Sequence, residues 1–258
     1  MPPPRIYKTA AIVLRQINLG EADKIITLYT PNLGKVRAVA KGIRRARSRL
    51  SGHLETLNHC MLVLARGRNL DVIDQGQTVH GFSSLKENLW LTGCAIYAAD
   101  LVDSFTGENI ENPPLFDLLL NTLSRFEEGQ SPELNRHYFE LHLLRCLGYR
   151  PQLRSCPGCR ALLKPVTNYF SAGAGGVLCP NCHLSVSSAR PVSSGALRAL
   201  LLLERSEYGA VGNLKLLPEV SREVEGVIRG YLSYLLEGEA RSVRFLDRLR
   251  RDGLSGSA

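Results

Sequence analysis

The sequence predicts a multidomain α+β protein, with a small N-terminal β-barrel and a C-terminal helical domain interrupted by a cysteine module. Three observations lead there. Up to residue 80 apolar residues recur in short runs that alternate or stay apolar over strand length, bounded by turn residues. From residue 84 the spacing becomes that of helices, and two Cys-x-x-Cys pairs stand inside that half. A length of 258 residues accommodates two domains, and 44% apolar with 22% charged residues is an ordinary globular composition.

The strands come first. Residues 6–16 and 24–30 read as two strands around a turn at Asn18-Leu19-Gly20. Pro31-Asn32-Leu33-Gly34 makes the next turn and a third strand follows it. Residues 60–65 (CMLVLA) and 70–80 supply the fourth and fifth. Five antiparallel strands in about this length suggest an OB-fold.

Residues 84–107 are expected to form one helix, capped by Ser83 or Ser84 and carrying Leu85, Leu89, Ala95, Ile96, Ala99 and Val102 inward. Pro113-Pro114 opens a second, which stops at Gly129. Ser131-Pro132 starts a third that runs to Leu147, with Gly148 just past its end. After the cysteine module, Ser193 or Ser194 caps a helix through Leu203. Val220, Val224, Val227, Ile228, Tyr231, Leu232 and Leu235 mark another over residues 218–237. Val243, Leu246 and Leu249 belong to a last short helix among Arg241, Arg244, Arg248, Arg250 and Arg251. The domains expected are thus 1–81 (barrel), 82–150 and 192–251 (two parts of a helical domain), 151–191 (cysteine module) and a disordered tail, 252–258.

Charge is unevenly placed. Residues 1–80 hold thirteen Lys+Arg against five Asp+Glu, while residues 81–258 hold nineteen against nineteen, so the formal excess of +8 lies in the first third. Its focus is GKVRAVAKGIRRARSR, residues 34–49, with Lys35, Arg37, Lys41, Arg44, Arg45, Arg47 and Arg49. Lys35, Arg37 and Lys41 share one parity and Val36, Ala38 and Ala40 the other, which puts the cations on the open face of a strand. Four arginines in six residues cannot be buried unpaired, so a cationic loop follows. A solvated strand face plus a linker would have the same composition, but such concentration suits a footprint for a polyanion. The barrel has few aromatics beyond Tyr7 and Tyr29, so it is expected to grip a nucleic-acid backbone by charge rather than stack on bases.

Cys156-Pro157-Gly158-Cys159 and Cys179-Pro180-Asn181-Cys182 form two knuckles that can complete a tetrahedral thiolate shell for one structural Zn²⁺ per chain. A thioredoxin-type redox pair would open a helix, whereas both pairs sit in Pro/Gly turns. An iron–sulfur cluster could use four cysteines but is less usual at this spacing. A hairpin of residues 168–171 and 177–178 is expected between the knuckles. Cys60, Cys94 and Cys146 stand in apolar segments. Nucleotide-binding, zinc-protease and serine-hydrolase motifs are absent from the sequence, the six histidines are scattered, and the acid pair Glu21 and Asp23 stands alone, so no catalytic site is expected. The opening MPPPRIYK lacks the apolar stretch of a secretory signal, and the longest apolar runs are too short to span a bilayer. A cytoplasmic protein without a membrane segment is expected.

The run EADKIITLYTP (residues 21–31), Gly34-Lys35 and AKGIRRARSR (residues 40–49) resembles the N-terminal signature of the bacterial DNA repair family RecO. Cys146-Leu147-Gly148-Tyr149, the two knuckles and Phe170, Gly175, Gly176 and Cys179 are similar to that family's C-terminal half. The resemblance implies an OB-fold, a helical domain and a zinc ribbon in a nucleoid-associated recombination mediator, not an enzyme. Such a protein binds single- and double-stranded DNA, anneals complementary strands, displaces single-strand-binding protein and, with RecR, helps load RecA. It carries the family's basic face over to Lys35, Arg37, Lys41, Arg44 and Arg45, and places the site for the single-strand-binding protein tail in the helical domain, with Arg125 and Arg136 as candidates. Two other readings are an RNA-binding OB/zinc-ribbon protein of translation or transcription, and a zinc-dependent nucleic-acid enzyme.

Overall fold

A computed structural model describes residues 5–254. The start of MPPPRIYK and the end of the expected disordered tail lie outside them. The chain divides into two compact units, one holding everything up to Gly129 together with the residues from Arg241 onward, the other spanning Gln130–Ala240.

In the first unit β1 (Ile6–Leu19), β2 (Asp23–Thr30), β3 (Gly34–Ala40), β4 (His59–Ala65) and β5 (Asp71–His80) close a barrel in the order β1-β2-β3-β5-β4. All neighbours are antiparallel except β3 and β5, which meet in parallel at Ala38–Asp71 and Val39–Val72. That closure is the OB arrangement expected from five strands. β1 is long because it pairs with both β2 and β4, bending at a register shift between Val13 and Arg15. The strict alternation of β3 puts Val36, Ala38 and Ala40 in the barrel core with Val13, Ile26, Leu28, Leu62 and Leu64. Small alanines suit the narrow interior of a five-stranded barrel.

Helices α1 (Ser83–Glu87), α2 (Leu89–Phe105) and α3 (Pro113–Glu127) follow, and α8 (Val243–Arg251) packs on α2. The single helix expected over residues 84–107 is two. Neither serine caps α1, whose N-cap is Phe82 in the left-handed region, whereas Asn88 caps α2 by accepting from Leu91 N at 3.1 Å. The extended backbone at Asn88 breaks the path while the apolar spacing runs on through it. Asn112 caps α3 in the same way.

The second unit holds α4 (Pro132–Cys146), α5 (Ser194–Arg205), α6 (Tyr208–Val211) and α7 (Pro218–Leu235). It also holds a three-stranded sheet of β6 (Asn168–Ser171), β7 (Gly176–Leu178) and β8 (Arg190–Val192), ordered β7-β6-β8. Helices α4, α5 and α7 pack on one another. Ser193 caps α5 through Ala196 N, and its own hydroxyl donates to Glu223 of α7 at 2.6 Å, so one cap joins two helices. No helix among the described residues is long and apolar enough to cross a membrane.

Candidate nucleic-acid interface and metal centre

β3 delivers the chain into a loop over residues 41–58 that is held firmly despite its charge. Ile43 and Leu54 are buried in the barrel core. Gly42, at φ +64°, donates its N–H to Asp23 Oδ1 at 2.7 Å, and Arg44 N donates to Ala22 O at 3.0 Å. Gln16 Nε2 donates to Leu54 O at 2.6 Å and is itself held by Lys24 Nζ. Asp23 therefore has a task that the sequence did not disclose: it pins the start of the basic loop. Lys41, Arg44, Arg45, Arg47 and Arg49 are all exposed. Arg44 spends one N–H on Gly20 O at 3.1 Å.

Lys35 and Arg37 depart from the open face expected for them. The Lys35 ammonium donates to Asp103 O at 2.6 Å and pairs with Asp103 Oδ1 at 3.2 Å, and only 12% of its side chain is exposed. Arg37 lies 3.5 Å from Glu108 Oε1, half-exposed. The cause is the segment after α2, which runs along β3: Asn109 N donates to Lys35 O at 2.9 Å. A Cβ on Gly34 would stand 1.8 Å from Ile110 O. The cationic surface is thus the loop, with Arg37 at its edge. Barrel aromatics are committed elsewhere, since Tyr29 is fully buried and Tyr7 donates to Asp71 Oδ2 at 2.5 Å beneath Arg66.

Arg136 is not available to a partner's tail. It is buried on α4, hydrogen-bonded to Glu140 at 3.4 Å and ion-paired with Glu225 at 3.3 Å, because a guanidinium at that depth must be paired. Arg125 lies in the first unit, part-buried in the last turn of α3. At the C-terminus Arg241 pairs with Asp100 and Asp103, while Arg244, Arg248 and Arg251 are exposed.

The four cysteines of the knuckles converge. Their Sγ atoms all lie within 4.8 Å of one another, with Cys159 and Cys179 3.8 Å apart. A tetrahedron with Zn–S bonds of about 2.3 Å has edges of about 3.8 Å, whereas a disulfide would need about 2.0 Å. The spacing and the all-sulfur donor set fit zinc. Burial pushes the Cys156 thiol up, yet backbone N–H groups of Cys159, Cys179 and Gly158 outweigh it and hold the thiol at about 6. Hydrogen bonds to the Cys179, Cys159 and Cys156 sulfurs push Cys182 up to about 12. A thiolate set that shares its protons in this way is one a divalent cation can deprotonate fully. A Cβ on Gly158 would come within 3.2 Å of Cys182 Sγ, a tight approach that leaves little room for a side chain in the first knuckle. His183 bonds Pro180 O through Nδ1 and stacks on Tyr169 at 3.4 Å, which leaves the four sulfurs as the donor set.

Comparison with known proteins agrees with this architecture. The family described as recombination protein O, N terminal, matches residues 4–82, and the one described as recombination protein O, C terminal, matches residues 87–244. The chain belongs to the RecO family. A relative named DNA repair protein RecO, from Roseiflexus sp., is 42% identical over 247 residues, covering 96% of this chain and 87% of its own. A second, of the same name, from Dehalococcoides mccartyi is 39% identical over 97% of this chain and 98% of its own. A third from Pelotomaculum thermopropionicum is 36% identical over 95% and 94%. The RecO resemblance therefore holds over nearly the whole chain.

Proposed function

We propose that this chain is a DNA-repair recombination mediator rather than an enzyme, acting in the cytoplasm at the nucleoid. It binds single- and double-stranded DNA without sequence preference, anneals complementary strands and, with RecR, helps load RecA onto DNA covered by single-strand-binding protein. The observation that carries this reading is the basic loop, five exposed cations on a backbone pinned to a barrel whose aromatics face inward or are bonded. Phosphates are bound by such a surface and bases are left free. Two complementary strands repel each other, and a cationic surface that screens both lowers the barrier to their encounter. Bases that are not stacked on protein remain able to pair. Zinc, one per chain on Cys156, Cys159, Cys179 and Cys182, has a structural role in this reading, because four protein ligands leave no open position.

The test is the annealing rate of two complementary oligonucleotides, with and without single-strand-binding protein. Wild type should accelerate pairing without ATP. Arg44→Glu/Arg45→Glu should lose the acceleration while keeping its circular dichroism. It should also bind single strands with a log–log salt slope shallower by about 1.4 or more, at roughly 0.7 for each phosphate no longer neutralised. A wild-type protein that binds both strands and slows their pairing would overturn the proposal.

A further inference from the structure

The balanced charge of residues 81–258 hides a second imbalance. Between Glu140 and Glu204 there is no acidic residue at all, and seven Lys+Arg occupy that stretch while all 24 Asp+Glu lie outside its interior. Most of it is the four-cysteine module. Arg150 is engaged there by the buried Glu204 carboxylate. Arg154, Arg160, Lys164 and Arg190 are exposed and form no ion pair among the described residues. A zinc ion on four thiolates carries a formal charge of about −2, which offsets half of those four cations and leaves the rest.

From this we infer that the zinc ribbon is itself a nucleic-acid backbone site, separate from the basic loop of the barrel and located on the other compact unit. It deepens the DNA-binding reading proposed above and rests on it. Two features favour an extended polyanion over a small anion or an acidic peptide seated in a groove. Arg154 and Arg190 border different cavities, of about 210 and 870 Å³, rather than a shared one. The backbone that carries Arg154 and Arg190 is also paired locally. Leu163 N donates to Arg154 O at 3.0 Å, Ser155 bridges Leu162, and Arg190 lies opposite Phe170 in the sheet. Exposed cations spread over one hydrogen-bonded module, rather than gathered at a point, suit the successive phosphates of a backbone.

Arg160 is the most telling of these cations. Directly after the first knuckle it adopts φ +64°, the left-handed region that glycine takes without steric penalty. A large cationic side chain at a position where glycine would be the less strained choice marks charge, rather than folding, as the reason for the residue. It also supplies a clean probe, because Arg160→Gly removes the charge while relieving the backbone.

The experiment uses full-length protein, a labelled single-stranded oligonucleotide and a salt series, with zinc content measured for every variant. The ribbon variant Arg154→Gln/Arg160→Gly/Lys164→Gln/Arg190→Gln should keep its zinc and show a slope shallower by about 3, at roughly 0.7 per phosphate. A fourfold rise in salt should then weaken it about 50-fold less than wild type. Arg160→Gly alone should flatten the slope by about 0.7, which keeps the test decisive if the fourfold variant folds poorly. Zinc-loaded ribbon variants with the wild-type slope would overturn the inference and leave the barrel reading standing. A loop variant with wild-type slope beside a flattened ribbon variant would do the reverse. Loss of binding to a poly-aspartate peptide with DNA binding unchanged would assign the surface to acidic protein segments instead and overturn it too.

Discussion

Lys35 and Lys41 are six residues apart with the same charge, and their surroundings give them different work. Lys41 is exposed, whereas Lys35 is almost covered and answers the Asp103 carboxylate. Replacing Lys35 by Met leaves Asp103 with Arg241 as its other cationic partner. We expect a loss of roughly 1–3 kcal/mol in urea unfolding, below the cost of breaking a fully buried pair because both groups keep some solvent contact. The DNA salt slope should stay within about 0.5 of wild type, against a change of 1.4 or more for Arg44→Glu/Arg45→Glu. Two turn glycines make a matched pair. Gly20 and Gly34 have φ of +60° and +62°, but a Cβ at Gly20 meets nothing within 4 Å and one at Gly34 meets Ile110 O. Gly20→Ala should cost about 1–2 kcal/mol, the left-handed penalty alone, and Gly34→Ala distinctly more, with the segment after α2 displaced.

At the scale of single elements, the cysteine ribbon brings together a donor set that could fold around a metal. Cys179→Ser should release the zinc and lower the stability of the second unit, since a small sheet of three short strands has little core of its own. Metal analysis with hydrogen exchange over residues 151–192 would show this. Wild-type zinc content in that variant would remove the assignment. The two knuckles and the β6–β7 hairpin were legible because cysteine spacing and glycine turns are local signals. Strand β8 was not, because Arg-Pro-Val reads as loop and becomes a strand only when β6 is there to pair with. The five barrel strands were legible to within a few residues, since alternation and turn residues fix them. The break at Asn88 was missed for the opposite reason. Apolar spacing continues through it, and only the cap that its side chain gives Leu91 N distinguishes two helices from one. The cationic stretch was readable as a surface, but the covering of Lys35 was not, because its partner comes 68 residues later.

In the whole molecule, the order of the chain and the grouping of its residues disagree. The second unit is an insertion: the first begins at the N-terminus, is interrupted after Gly129 and resumes at Arg241. The returning segment matters, since Val243, Leu246 and Leu249 of α8 are buried and Leu249 and Leu246 lie against Gly93 of α2. Leu246→Ala should cost about 2–4 kcal/mol in the transition of the barrel-bearing unit. Cys179→Ser should affect the other transition, so urea unfolding followed by two probes should resolve two steps. A single coincident transition displaced equally by both substitutions would contradict this. Synthesis proceeds from the N-terminus at roughly 5–20 residues per second. The face of α2 that receives α8 must therefore wait on the order of ten seconds after the ribosome has made it, while the entire ribbon-bearing unit is translated. A nascent chain therefore holds an unfilled apolar face through that interval, until α8 emerges to cover it.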